Sequence, residues 1–218
     1  MSEITIKNLF RLIALYLITS YSSASDYALV ADRIIDGKSN QVLTNKTVLV
    51  SKNTIVSIVN LDEIPEDFLI VNLPNTTLMP GMINAHEHPL LYQSDYQNGH
   101  LQASSAFKAL IGLKTLQRLL ESGWTSIRVM GDGDIYYANQ DIRKAIDGGM
   151  FLGPRLTGAA HYISITGGGG DINYLSPEQA VIADGLIADG PHEIRKAIRQ
   201  EIKFGSDWIK VMVTGAFM

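Results

Sequence analysis

The chain has no cysteine among its 218 residues. That excludes a disulfide framework, thiolate metal sites, a thiol nucleophile and lipid anchoring through sulfur. Charge is scarce as well: Asp, Glu, Lys and Arg make up 18% of the sequence, against about 25% in ordinary soluble domains. There is no basic surplus, because 18 Lys and Arg face 22 Asp and Glu, a net charge of −4. A nucleic-acid partner is therefore not expected. No apolar run reaches the roughly 20 residues that a membrane span requires. Apolar residues, at 46% of the chain, instead describe a protein with a packed interior. Any metal must be held by histidine, carboxylate or a rarer ligand.

The first 25 residues have their own composition. Lys7 and Arg11 precede the apolar stretch Leu12–Ile18, and small polar residues follow from Ser20 to Ser25. Ser22 and Ala24 are spaced like a cleavage signal, so residues 1–25 read as a secretory signal peptide. The mature protein is then expected to be exported, periplasmic or secreted, with no stable membrane span after cleavage. An amphipathic helix or a retained anchor is the competing reading, and Glu3 is unusual in a positive leader.

Residues 26–76 read as short strands rich in β-branched residues: Ala28–Val30, Thr47–Val50 and Thr54–Val59, separated by Asp36–Asn40 and Lys52-Asn53. From residue 77 to 218 the rhythm changes to alternating strands and helices. Strands are expected at Thr77–Ala85, Thr125–Met130, Arg155–Gly158 and, as a buried strand, Trp208–Val213. Helices are expected at Ser105–Ser122 (with Phe107, Leu110, Ile111, Leu116, Leu119 and Leu120 as its apolar residues), Asn139–Asp147 and Pro191–Phe204. Such alternation signals an α/β fold with a parallel sheet. A (β/α)₈ barrel takes about 250 residues, so this length holds about four strand–helix units. The expectation is a smaller open sheet or the first half of a barrel, truncated after its fourth strand.

His86 and His88 are the strongest chemical signal. Two residues apart on a strand, they leave the same face, at the carboxyl end where such folds place active sites. A pair of neutral imidazoles there can hold a divalent ion such as zinc; surface or core histidines are the plain alternative. Lys210 interrupts an apolar run. A buried lysine loses its charge readily and becomes nucleophilic, able to take up carbon dioxide as a carbamate; a snorkelling lysine at a strand end is the alternative. His161 lies beyond the third strand, facing a cleft or packed. Asp132-Gly133-Asp134 reads as a turn, and Gly167–Gly170 as an active-site loop that lacks the Lys-Ser/Thr of a phosphate cradle.

Met79-Pro80-Gly81-Met82-Ile83-Asn84-Ala85-His86-Glu87-His88 resembles the Pro-Gly-apolar-Ile-(Asp/Asn)-x-His-x-His opening of the metal-dependent amidohydrolase superfamily. The likeness continues through Gly123–Arg128, Gly153–Leu156, Ile165–Gly168 and Asp207–Gly215, and is strongest to the imidazolonepropionase-like and prolidase-like branch. It implies a partial (β/α)₈ barrel beside a small β-sandwich to which residues 26–76 contribute. It implies His86 and His88 as ligands of the more buried of one or two divalent ions, most commonly zinc, with Lys210 carboxylated as a bridge. Two later histidines and a catalytic aspartate would lie beyond residue 218, so no catalytic residue of the family falls in this chain. The implied reaction is hydrolysis of a C–N bond in a small-molecule amide, lactam or dipeptide-like substrate, by hydroxide formed on the metal. Homo-oligomers occur in the family. Gly169 stands where a histidine is common, which leaves the substrate open. The competing accounts are a non-catalytic truncated product and a small metal-binding or interaction module.

Overall fold

The computed structural model describes residues 26–91 and 96–215; the expected signal peptide lies outside the described residues. Among these residues no helix is long and apolar enough to cross a membrane. The chain divides into two units between Pro80 and Gly81.

In the first unit, β1 (Tyr27–Ile34), β2 (Lys46–Ser51), β3 (Thr54–Asn60) and β4 (Leu69–Leu78) form one sheet in the order β3-β2-β1-β4. Neighbours β1, β2 and β3 run antiparallel, while β4 runs parallel to β1. Ala28, Ala31 and Ile34 of β1 and Val48 and Leu49 of β2 are buried. The buried Thr47 hydroxyl donates to the Leu29 carbonyl at 2.9 Å, so its polar atom is satisfied. A groove of about 540 Å³ lined by Leu29, Val48, Val50, Ile55 and Ile58 runs along the sheet, and Ile55 is 66% exposed. Only one sheet is present in this unit among the described residues, one layer of the expected sandwich.

The strand expected over Thr77–Ala85 is two strands. Thr77 and Leu78 finish β4, in register with Arg33 and Ile34, and β5 begins at Met82. Pro80 between them has no N–H to donate to a ladder.

The second unit runs β5 (Met82–Glu87), α1 (Tyr96–Gln102), α2 (Ser105–Glu121), β6 (Trp124–Met130), α3 (Ala138–Asp147), β7 (Arg155–Ala159), β8 (Tyr162–Ser164), β9 (Leu186–Ile187), α4 (Gly190–Lys203) and β10 (Lys210–Met212). Two parallel sheets result, β5-β6-β7 and β10-β8-β9. The α/β alternation is present, but the described residues form no closed barrel. The chain leaves one sheet and enters the other at Ala160-His161. Asp207 bridges the two: its amide donates to the Gly158 carbonyl at 2.9 Å, and its carboxylate accepts from Arg143, Thr157 and the Gly158 amide. Gly158 has φ +140°, and a Cβ there would stand 2.0 Å from the Val129 carbonyl oxygen. Only glycine allows β7 to lie this close to β6.

Ser104 caps α2, its hydroxyl accepting from the Phe107 amide at 3.2 Å. The helix does not bury the expected apolar residues evenly. Lys108, Gly112 and Leu116, spaced by four, are buried, whereas Phe107 and the 67%-exposed Leu110 face outward. Gly112 explains the choice of face: a Cβ there would meet Leu90 at 2.6 Å and Ile142 at 2.8 Å, so the smallest residue sits where α2 comes closest to its neighbours. The main core joins Leu90, Leu116, Ile127, Val129, Ala138, Ile142 and Leu156. A smaller one packs Ile163 and Ala188 against Ala197 of α4.

Helix α4 starts with Pro191 in its first turn, as expected. The final strand is shorter and wetter than expected: β10 covers only Lys210–Met212, Trp208 is exposed, and Val213 is 73% exposed. Gly167–Gly170 folds back onto this region, with the Gly169 amide donating to the Thr214 carbonyl at 3.0 Å and the Gly170 amide to the Ser164 hydroxyl at 3.0 Å.

Candidate metal centre

His86 ends up exposed on β5 and His88 half-buried just after it. The register between β5 and β6 is irregular between Asn84 and Glu87, and side chains hold the local backbone. Asn84 Oδ1 accepts from the His86 amide at 3.0 Å, and Glu87 Oε1 accepts from the His88 amide at 3.1 Å. Asn84 and Glu87 also bond each other, Nδ2 to Oε2 at 2.6 Å. With the backbone pinned, the two rings meet edge-on at 5.1 Å between centroids and 65° between planes. Their Nε2 atoms lie 3.1 Å apart.

The tautomer of His88 follows from its partner. Its Nδ1 faces the Gly131 carbonyl oxygen, which can only accept, so Nδ1 carries the proton and the neutral ring presents a bare Nε2. Burial lowers the pKa of His88 below its ordinary 6.5; the Gly131 carbonyl opposes this, while the charges of His86 and Lys210 add to it. The neutral, ligand-ready form is thereby favoured. Lys210 opens β10, in register with Tyr162, and is half-buried.

This donor set fits a divalent ion. Two nitrogens bound at about 2.05 Å in a tetrahedron are about 3.3 Å apart, close to the 3.1 Å between the Nε2 atoms. The described residues contain no group of three or more His, Cys, Asp or Glu able to hold a metal. The structure brings His86 and His88 together, while Lys210, the third expected residue, lies on β10 of the other parallel sheet.

Behind it lies a polar network that the sequence reading did not assemble. Asp132, fully buried, accepts from the Leu90 amide and from Asn139 Nδ2, both at 3.1 Å. Burial raises its carboxyl well above the ordinary 3.8, against those two hydrogen bonds. Asp134 accepts from the Ser105 hydroxyl at 2.9 Å and the Ala138 amide at 3.0 Å. Lys108 donates to the Gly133 carbonyl at 2.6 Å, and burial lowers its pKa, opposed by Asp134, Asp184 and Asp132. His161 is a core residue and not a cleft ligand: its ring nitrogens face Glu201 Oε1 and the Asp134 carbonyl, both at 2.7 Å. Glu201 also accepts from the Tyr137 hydroxyl at 3.1 Å and the Ser206 hydroxyl at 2.7 Å. One signal for Glu201 was present, since it continues the buried side of α4 one turn beyond Ala197.

Parallel strands with crossover helices, and an imidazole pair at a strand's carboxyl end, define the class as an α/β protein with a candidate site at that end. Residues 77–218 match the Amidohydrolase family, and the chain belongs to that family. It is 27% identical to the ochratoxinase of Aspergillus niger over 221 residues, covering 92% of this chain and 45% of that protein. A crystal structure of a Xaa-Pro dipeptidase with bound methionine in the active site superposes with a TM-score of 0.73 at 29% identity, over 86% of this chain and 47% of that one. A putative prolidase from Bifidobacterium longum superposes with a TM-score of 0.64 at 28% identity, over 88% and 42%. The chain thus spans under half the length of the relatives it matches.

Proposed function

We propose that this chain is the N-terminal half of a metal-dependent amidohydrolase that cleaves amide- or peptide-type C–N bonds of small molecules. The observation that carries the reading is the convergence of His86 and His88 Nε2 to 3.1 Å, with His88 held as a ligand-ready tautomer. When bound, a divalent ion supplies Lewis acidity and lowers the pKa of a coordinated water toward neutrality. The chain's part is to hold that ion. His86 and His88 offer lone pairs, while Asn84 and Glu87 fix their backbone. Lys210 is the carbamate candidate: its neutral amine adds to carbon dioxide, an N–C bond forms, one N–H proton is released, and an anionic oxygen donor results. The relatives' names point to Xaa-Pro dipeptides and ochratoxin as the first substrates to try.

Exposed apolar residues favour this reading over a self-sufficient module. Ile83 of β5 is 71% exposed, and Val211 and Val213 are also exposed; further chain packed on them would cover this surface. Zinc titrated into the purified chain tests the centre. Wild type is expected to bind in the micromolar range or tighter, and His86→Ala and His88→Ala each to weaken binding at least about 10-fold. Unchanged affinity in both variants would sink the assignment. The 218 residues alone are expected to show no turnover of either substrate; zinc-dependent hydrolysis by the purified chain would overturn that expectation. Export belongs to the same proposal, and a mature N-terminus near Ser25 or Asp26, read by mass spectrometry on secreted material, tests it.

A further inference from the structure

Two hydrogen bonds join the turn after β5 to the turn after β6 and close a ring of atoms around His88. One runs from His88 Nδ1 to the Gly131 carbonyl. The other runs from the Leu90 amide to Asp132 Oδ1 at 3.1 Å. His88 and Leu90 stand two residues apart, and Gly131 and Asp132 are adjacent, so each bond limits the freedom of the other. The Asp132 side chain is itself anchored: Oδ2 accepts from Asn139 Nδ2 at 3.1 Å, and the same Nδ2 donates to the Ala160 carbonyl at 2.9 Å. The Asp132 amide donates to that carbonyl too, at 3.1 Å. The Leu90–Asp132 side of the ring is buried, Leu90 being 2% exposed and Asp132 0%.

We infer that Asp132 is a positioning residue for His88: by clamping the Leu90 amide it holds the His88 backbone at the distance from the Gly131 carbonyl that locks the ring as the Nδ1–H tautomer, with Nε2 aimed at His86. The inference rests on reading His86 and His88 as metal ligands. Without the Asp132 oxygens the Leu90 N–H is a buried donor with no acceptor, and such groups drive local rearrangement to find one. The turn can then shift, Nδ1 loses its carbonyl, and the ring is free to take either tautomer. Partners that orient a metal-binding histidine generally change affinity by about 10- to 100-fold when removed.

The test uses the 218-residue chain, its Asp132→Asn variant, whose amide oxygen still accepts from Leu90, and its Asp132→Ala variant, which offers no acceptor. Long-range ¹H–¹⁵N spectra of the metal-free imidazoles report the His88 tautomer, zinc titration reports affinity, and far-ultraviolet circular dichroism reports folding. Wild type is expected to show His88 only as the Nδ1–H form, Asp132→Asn to keep it, and Asp132→Ala to show mixed tautomers with zinc binding at least about 10-fold weaker. A natively folded Asp132→Ala with a single Nδ1–H tautomer and wild-type zinc affinity would overturn the inference. If Asp132→Ala does not fold, wild type decides alone: an Nε2–H His88, or a rapidly exchanging Leu90 amide, overturns it, and the locked tautomer with a protected amide supports it. Absence of zinc binding in every variant would remove the metal reading and leave the tautomer result standing, so the two failures are distinguishable.

Discussion

Glu201 shows how much a single carboxylate can hold in this chain. Four hydrogen-bonding groups converge on it: the His161 ring, the His161 amide, the Tyr137 hydroxyl and the Ser206 hydroxyl. Burial alone would raise its pKa, but the hydrogen bonds and charge of His161 and the Ser206 hydroxyl outweigh it and hold the group below its ordinary 4.5. The sign of the linkage follows. In acid the unfolded chain binds this proton before the folded chain does, so the stabilisation is complete above about pH 4.5 and is lost as pH falls through the folded value. Glu201→Ala orphans several buried donors at about 1–3 kcal/mol each, and a loss of about 3 kcal/mol or more at neutral pH is expected in urea unfolding. The variant's stability should also fall less steeply than that of wild type below about pH 4.5; parallel acid limbs would contradict this account. At this scale the sequence was partly legible. His86, His88 and Lys210 stood out because a His-x-His pair and a lone lysine in an apolar run are local patterns. His161 and Glu201 lie 40 residues apart, and Leu90 and Asp132 lie 42 apart, so neither pairing can be read until the chain is folded.

Among the elements, α2 and β7 make the sharpest claims. Leu116 is fully buried in the main core, and Leu116→Ala is expected to cost about 2–5 kcal/mol, measured by denaturant midpoint. Gly112→Leu should destabilise for the opposite reason, because α2 must move off Leu90 and Ile142; overpacking of this kind costs about 1–3 kcal/mol. Gly158→Ala places a methyl against the Val129 main chain, which has no rotamer to yield, so β6 and β7 must part; a loss above about 3 kcal/mol is expected. A thermal midpoint within a degree or so of wild type would rule out the close approach. The positions of α2, α3, α4 and β6 were legible within a residue or two, since helix spacing and glycine stops are local. Which face of α2 turns inward was not: Phe107 and Leu110 are more apolar than Lys108 and Gly112, yet closeness to Leu90 and Ile142 decides the orientation. The strand expected across Pro80 failed because an apolar run hides a missing donor, and β10 came out short because exposed Trp208 and Val213 looked like core residues.

For the whole molecule, the sequence carried the α/β alternation and the family, while the described residues carry two parallel sheets and no closed barrel. The uncovered apolar residues, Ile55 and Ile70 in the first unit and Ile83 and Val213 in the second, form surfaces of the kind that promotes association. Purified alone, the chain is expected to self-associate as its concentration rises; a strictly monomeric sedimentation profile up to about 100 μM would count against exposed surfaces of this size.

The passage from β7 to β8 through Ala160-His161 works as a seam in the polypeptide. Ladders on its two sides belong to different partners, so one side can breathe while the other stays shut. Amide protons of β6 and β7 should then exchange at one common slow rate and those of β8 and β10 at a faster one. Asp207 is one of the rivets across the join, and replacing it with Asn should widen the gap between the two rates while leaving the slow group nearly untouched.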